Sequence, residues 1–232
     1  MLTWNISAWR ATSLLLGLFS IFAAMASPIA MLDERMLTAH MGQHLLLMTI
    51  APPLIWLGMP VQVLNGSVAR SPVVRKLGTI VGHPVFCWLA ATVALVGWHS
   101  PAGFRFGMQS SFWHVVEQLS FLAAGLLFWW PVIHPQRRWW ILLYLFLATL
   151  PCDVLSGLLV FSDRVVYPMY LSLPQMGPQM GPQMGGLSPL EDQQCAAALM
   201  WTCVTVIFLV AGTILSLQLL APKPSLEEAV SA

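Results

Sequence analysis

Two histidines stand four residues apart near the start of a long apolar run. His40 and His44 lie in the segment Leu-Thr-Ala-His-Met-Gly-Gln-His-Leu-Leu-Leu-Met, which covers residues 37–48. Four residues are little more than one turn of an α-helix, so both imidazoles would project from the same helix face. Two imidazoles on one face can bind one metal ion. The pair therefore predicts a metal site where this run begins.

The composition indicates a polytopic membrane protein. Hydrophobic residues make up 58% of the chain and charged residues 8%, against about 45–50% and about 25% in soluble domains. No long segment shows the alternation of a β-barrel strand. Six stretches are long and apolar enough to span a bilayer as helices, namely 11–32, 37–64, 82–99, 111–133, 139–161 and 195–220. We therefore predict an all-α transmembrane bundle of about six spans, with one domain at 1–222 and a short cytoplasmic tail at 223–232.

The distribution of Lys and Arg predicts the orientation of the bundle. With the N-terminus inside, seven of the ten Lys and Arg residues fall in inner segments, and only Arg35, Arg105 and Arg164 fall outside. The positive-inside rule then favours both termini inside. A cleaved signal peptide is an alternative for the first span, because Arg10, a short apolar core and Ala24-Met25-Ala26 fit that pattern.

Further polar side chains fall at the depth of the histidine pair. His99 ends the third predicted span, and His114, Glu117 and Gln118 share one face of the fourth through their i, i+3, i+4 spacing. Any one of these histidines could be an ordinary interfacial side chain, and the face at 114–118 could be a hydrogen-bond network between helices. The clustering favours a metal site, because an ionisable group within a membrane is costly and counts as functional by default. We predict His40, His44, His114 and His99 as metal ligands, supported by Glu117, Gln118, Asp153, Asp192, Gln193 and Gln194.

The remaining two histidines fall at the opposite, inner boundary. His83 precedes Pro84, and His134 precedes Pro135. We interpret both as interfacial turn residues without a role in the metal site.

Sulfur ligands are a second source of metal chemistry. The outer loop at 162–192 contains three tandem Pro-Gln-Met-Gly copies with thioethers at Met176, Met180 and Met184, which could hold Cu(I). The alternative, a duplicated low-complexity insert without ligands, is the interpretation that we favour. Cys152 and Cys195 could add a thiolate or could be small buried apolar residues.

Several blocks of the chain resemble one protein family. They are Ser27-Pro28, the segment 37–48, Ala51-Pro52-Pro53, residues 114–118 followed by Ala-Gly-Leu-Leu-Phe-Trp-Trp-Pro at 124–131, and Ser-Pro-Leu-Glu-Asp-Gln-Gln at 188–194 before Met200-Trp201. In this order they look like the signature of the CtaG-like assembly factors for caa-type haem–copper cytochrome c oxidases. The similarity extends from about residue 27 to residue 220.

This resemblance implies a non-enzymatic, multi-pass protein of the bacterial inner membrane that helps to load copper into the oxidase from the outer side. It implies oxidase subunits and membrane lipid as partners, and we expect no nucleic acid. Two features depart from the family. Relatives usually have a histidine where this chain has Gln118, and they are usually assigned seven spans.

Two other functions remain open at this level. A haem-binding or redox subunit would use two of the histidines as axial ligands on either side of a macrocycle. A proton-coupled transporter of a metal or small solute would use Asp153 and Glu117 as proton carriers, and helices interrupted at Pro52-Pro53 and Pro151 would suit it. The interpretation that we adopt is an assembly factor with an outward-facing copper site.

Overall fold

The computed structural model describes residues 7–27, 30–59, 78, 81–134, 139–171 and 187–221. Helix accounts for 85% of this structure, and the described residues contain no strand. The prediction of an all-α fold is therefore confirmed. The main helices are α1 (Ala8–Met25), α2 (Leu37–Leu45), α3 (Ala51–Gly58), α4 (Pro84–His99), α5 (Pro101–Gly107), α6 (Ser111–Ile133), α7 (Trp140–Val160) and α8 (Pro189–Leu220).

Judged by length and composition, fewer helices could span a membrane than the six predicted from the sequence. Within the described residues four stretches qualify, Ala8–Leu32 and the helices α6, α7 and α8. The pair α4 and α5 adds a fifth if it is counted as one span, although the two helices meet at 82°. The prediction of six spans is thus not confirmed, and the orientation with both termini inside stays a prediction.

The second predicted span is helical from Leu37 to Gly58, but its geometry changes before the double proline. A π-helical segment, Leu46–Ile50, joins α2 to α3, and the Ala51 N–H donates to the Leu46 carbonyl five residues back. Pro52 has no N–H to offer the Met48 carbonyl, which accepts instead from the Trp129 indole N–H at 3.2 Å. The helix thus changes type just before Pro52-Pro53 and is not broken there. The predicted interruption at Pro151 is wrong, because α7 continues through that residue.

Close helix contacts hold these elements together. α1 packs on α3, α4 packs on α6, and α8 packs along α7 and α2. Glycine permits the closest approaches, since a Cβ at Gly58 would lie 2.6 Å from the Leu14 nitrogen and one at Gly125 would lie 2.6 Å from the Met48 carbonyl oxygen. The second contact holds the π-helical segment that follows α2 against α6, and so sets the positions of the side chains that α2 and α6 carry.

The bundle has two chemically different ends. At one end, which we call the histidine end, α4 and α7 finish and α2, α6 and α8 begin. His83 and His134 lie at the opposite end, where α4 begins and α6 finishes. The predicted separation of the histidines into two groups is therefore confirmed.

Candidate metal centre

The four histidines predicted as ligands come together at the histidine end. His40 and His44, on one face of α2, have ring centroids 4.3 Å apart. The His114 ring on α6 lies 5.7 Å from that of His40, and the His99 ring at the end of α4 lies 5.4 Å from that of His44. His40 is completely buried and His44 and His99 nearly so. Three helices thus contribute one cluster of imidazoles.

Glu117 stands at the centre of this cluster. Its Oε1 lies 3.7 Å from His40 Nε2 and 3.6 Å from His44 Nε2, and its Oε2 lies 3.4 Å from His114 Nδ1. The residue is fully buried, and neither carboxylate oxygen has a hydrogen-bond partner in the described structure. Gly107 of α5 leaves the space for it, because a Cβ there would lie 2.6 Å from Glu117 Oε2.

Asp33 belongs to the cluster although the sequence analysis did not select it. Its Oδ2 lies 2.6 Å from His114 Nε2, and the residue is buried while its neighbours Glu34 and Arg35 are exposed. Burial alone would raise the pKa of Asp33, but the hydrogen bond from His114 and the charge of that ring outweigh it and lower the pKa. The one feature of the sequence that could have indicated Asp33 is its position, only four residues before the start of α2.

A chain of amides lies beside the ring of His114. Gln118 Nε2 lies 2.8 Å from His114 Nε2 and 3.4 Å from Gln43 Oε1. Gln43 in turn donates to the Ala30 carbonyl at 3.0 Å. Gln118, one of the predicted supporting residues, therefore contacts a predicted ligand, and Gln43 is a second residue that the sequence analysis did not select.

His99 has a different environment from the other three histidines. Its Nδ1 donates to the Leu95 carbonyl at 2.8 Å, and its Nε2 lies 3.1 Å from Met41 Sδ. The Tyr167 hydroxyl donates to the His99 carbonyl and fixes this end of α4. His99 thus faces a thioether, whereas His40 and His44 face a carboxylate.

Asp192 and Gln193 serve the packing of helices. The Asp192 carboxylate accepts from the N–H groups of Leu37 and Thr38 and from the Thr38 hydroxyl, so it caps the start of α2. The Gln193 side chain accepts from the Val166 N–H and donates to the carbonyls of Leu159 and Arg164. Neither forms a hydrogen bond or an ion pair with the histidine cluster.

The other predicted groups are not brought to the cluster by the described structure. Asp153 and Gln194 are half-buried and make no hydrogen bond or ion pair within the described residues. Cys152 is buried and Cys195 is exposed. Met176, Met180 and Met184 lie outside the described residues.

The cluster fits a cation. Two sets of three residues bring their donor atoms within 4.8 Å of one another, Asp33 with His40 and His114, and His40 with His44 and Glu117. Both ring nitrogens of His40 and of His44 are buried without a hydrogen-bond partner, as are both oxygens of Glu117. Buried polar atoms are costly unless something satisfies them. Imidazole and carboxylate donors with free lone pairs are what a transition-metal ion would satisfy.

Comparison with known proteins assigns the chain to a family. No curated protein and no solved structure is significantly similar to this chain. A protein-family model described as cytochrome c oxidase caa3 assembly factor matches residues 3–221, nearly the whole chain. The chain therefore belongs to the cytochrome c oxidase caa3 assembly factor family.

Proposed function

We propose that this protein assists the maturation of its oxidase by holding copper at the histidine end and passing it to an oxidase subunit. The observation that carries the proposal is the group of unpartnered, buried donor atoms on His40, His44 and Glu117. Copper is the cargo, and no chemical conversion by this protein is part of the proposal.

The donor set suits a cargo that must be both bound and released. Imidazole is a good ligand for copper, and one carboxylate offsets part of the charge of the ion in a site with little water. Glu117 lies 3.4 to 3.7 Å from three imidazoles, so it can support whichever of them ligates the ion. Direct hydrogen bonds between Glu117 and the rings of His40 and His44 would occupy the nitrogen and oxygen atoms that could bind a metal ion. The described structure has no such bonds, so these atoms are available to the ion.

His114 supplies a path between this site and the surface. Its side chain is 18% exposed, whereas that of Glu117 is fully buried. Its Nε2 is held by Asp33 at 2.6 Å and its Nδ1 faces Glu117. The His114 ring therefore lies between the carboxylates of Asp33 and Glu117. It can exchange either carboxylate for an incoming ion, which gives copper a stepwise route into the site and out of it.

The two alternative functions find less support. In the described structure the imidazoles contact one another or a phenylalanine, as His44 does with Phe121 at 4.0 Å between centroids, and this leaves no gap between them for a macrocycle. For the transporter, Asp153 would have to cooperate with Glu117, yet Asp153 makes no hydrogen bond or ion pair with a described residue.

The test uses a strain that lacks this protein and is complemented with variants. A His40→Ala/His44→Ala double variant should leave the oxidase inactive and low in copper, while this protein remains in the membrane at its normal level. The matched control is His83→Ala/His134→Ala, which removes two histidines at the opposite end and should mature the oxidase normally. Full oxidase activity and copper content with the first variant under copper limitation would refute the proposed function.

Delivery from the outer face also requires the predicted orientation. Reporter fusions at about residues 70 and 137 should be cytoplasmic, and fusions near residues 105 and 180 should be outside. The reason is that Lys and Arg are concentrated in the segments around 70 and 137, and such segments stay in the cytoplasm. Inverted results would place the histidine end in the cytoplasm and exclude delivery from outside.

A further inference from the structure

A cavity extends from the histidine cluster into the bundle. It has a volume of about 60 Å³, room for a few water molecules or a small ion. His44 and His99 line it at the histidine end, and Trp88 and Ala91 line it deeper along α4. His44 is almost fully buried and has no hydrogen-bond partner at either nitrogen, so a buried polar side chain without a partner borders this space.

The contact between His99 and Met41 is unfavourable unless a proton or a cation lies between the two side chains. His99 Nδ1 must carry the ring hydrogen, because its partner is the Leu95 carbonyl, which can only accept. In the neutral ring Nε2 then has a lone pair, and it lies 3.1 Å from Met41 Sδ, which also has only lone pairs. Two acceptors at this distance repel each other unless a proton or a cation lies against both.

The cavity wall favours a soft cation for this position. Three further sulfur atoms belong to residues that line it, Met48, Cys152 and Met200. Thioethers are weak ligands for hard ions such as Mg²⁺ and Ca²⁺ but suit Cu(I). Met41 is completely buried, and both Met41 and Met200 belong to the core cluster beneath the histidine end.

We propose that His99 Nε2 and Met41 Sδ form a second site, which binds a soft monovalent cation of the Cu(I) class at the mouth of the cavity. The inference rests on the proposed copper role of the histidine cluster and adds a site of different chemistry to it. His44 borders both sites, since its Nε2 lies 3.6 Å from Glu117 Oε1 and its ring lies 5.4 Å from that of His99. The ion keeps its oxidation state, and only its ligands change.

The experiment measures binding of Ag(I), a redox-inert analogue of Cu(I), to the full-length protein in detergent. Met41→Leu keeps the side-chain volume and removes the sulfur. It should weaken Ag(I) binding by about tenfold or more, in the range expected for disruption of a metal site. X-ray absorption of the Cu(I)-loaded protein should show a sulfur ligand in the unaltered chain and lose it in this variant. His99→Gln should weaken Ag(I) binding in the same way.

The matched control is Met108→Leu. Met108 packs against the same core cluster as Met41 but does not line the cavity, so this exchange should leave Ag(I) binding and the sulfur signal unchanged. Equal losses in both methionine variants would indicate a general packing effect and overturn the proposal. Unaltered Ag(I) affinity in Met41→Leu and His99→Gln would overturn it as well.

The outcome is separable from that of the proposed function. If the His40/His44 double variant fails to mature the oxidase while Met41→Leu binds Ag(I) normally, only the second site is refuted. If the double variant matures the oxidase normally while Met41→Leu loses Ag(I), the second site stands and the copper-delivery role of the histidine cluster is refuted.

Discussion

His40 and His44 at the histidine end use their ring nitrogens differently from the two histidines at the opposite end. At the opposite end, His83 Nδ1 accepts from the Val85 N–H at 3.3 Å, and His134 Nδ1 lies 3.2 Å from the Trp130 carbonyl oxygen. At the histidine end, His40 and His44 have no hydrogen-bond partner at any ring nitrogen in the described structure. Residue type and position near a helix terminus therefore do not determine whether a histidine is structural or available to a ligand.

The difference arises from the residues that cap the helices. The first N–H groups of a helix need partners, and at the start of α4 it is His83 that provides one. At the histidine end, Ser110 caps α6, Ser188 caps α8 and Asp192 caps α2. Because other side chains satisfy the helix termini there, the imidazoles of His40 and His44 are left for a different partner.

The largest effect is expected for Glu117, the carboxylate that His40 and His44 face. Glu117→Gln keeps the shape of the side chain but removes the charge that would balance a metal ion. We expect oxidase maturation to fall by about tenfold or more, with a normal amount of this protein in the membrane, measured by immunoblot and oxidase activity. Glu191→Gln, at an exposed helix start, is the control and should mature the oxidase normally. A fully active oxidase with Glu117→Gln would mean that the buried carboxylate is structural.

A second test separates ligand loss from packing loss at one position. His44→Ala should reduce maturation, and excess copper in the medium should restore part of it, because mass action refills a weakened site. Phe121→Ala removes the ring that contacts His44 at 4.0 Å between centroids and leaves the ligand in place. We expect its defect to be one of protein stability that copper does not correct. An equal response of the two variants to copper would show that His44 acts in packing and is not a ligand.

A smaller effect is expected where the histidine end depends on capping. Asp192→Asn retains one acceptor oxygen but loses the charge at the start of α2, which should lower stability by about 1 kcal/mol. The melting temperature of the detergent-solubilised protein measures this change. Asp163→Asn, in an exposed loop position, should leave the melting temperature unchanged. A normal melting temperature for Asp192→Asn would show that the cap does not stabilise α2.

The smallest effect is expected for the repeat. Deleting residues 174–185 removes Met176, Met180 and Met184, and we expect maturation to be nearly unchanged even in copper-poor medium, because the buried histidine end already provides ligands. Oxidase activity at several copper concentrations measures this. A defect that appears only when copper is scarce would show that the repeat collects copper for the site.

Much of the site followed from the sequence because its signals are local. The i, i+4 spacing of His40 and His44 and the i, i+3 spacing of His114 and Glu117 place each pair on one helix face, whatever the helices pack against. Hydrophobicity over about 20 residues likewise located four of the six predicted spans, which correspond to Ala8–Leu32, α6, α7 and α8. The chain alone therefore determined an all-α membrane protein and most of the residues around Glu117.

Only the tertiary structure decided how the carboxylates and sulfur atoms are used. Asp33 and Asp192 both flank apolar helices near the histidine end, yet Asp33 binds His114 whereas Asp192 caps α2. A carboxylate can accept from an imidazole or from backbone N–H groups with comparable strength, so its partner depends on which segments pack side by side. The same holds for Met41, whose sulfur meets His99 only because the end of α4 lies against α2.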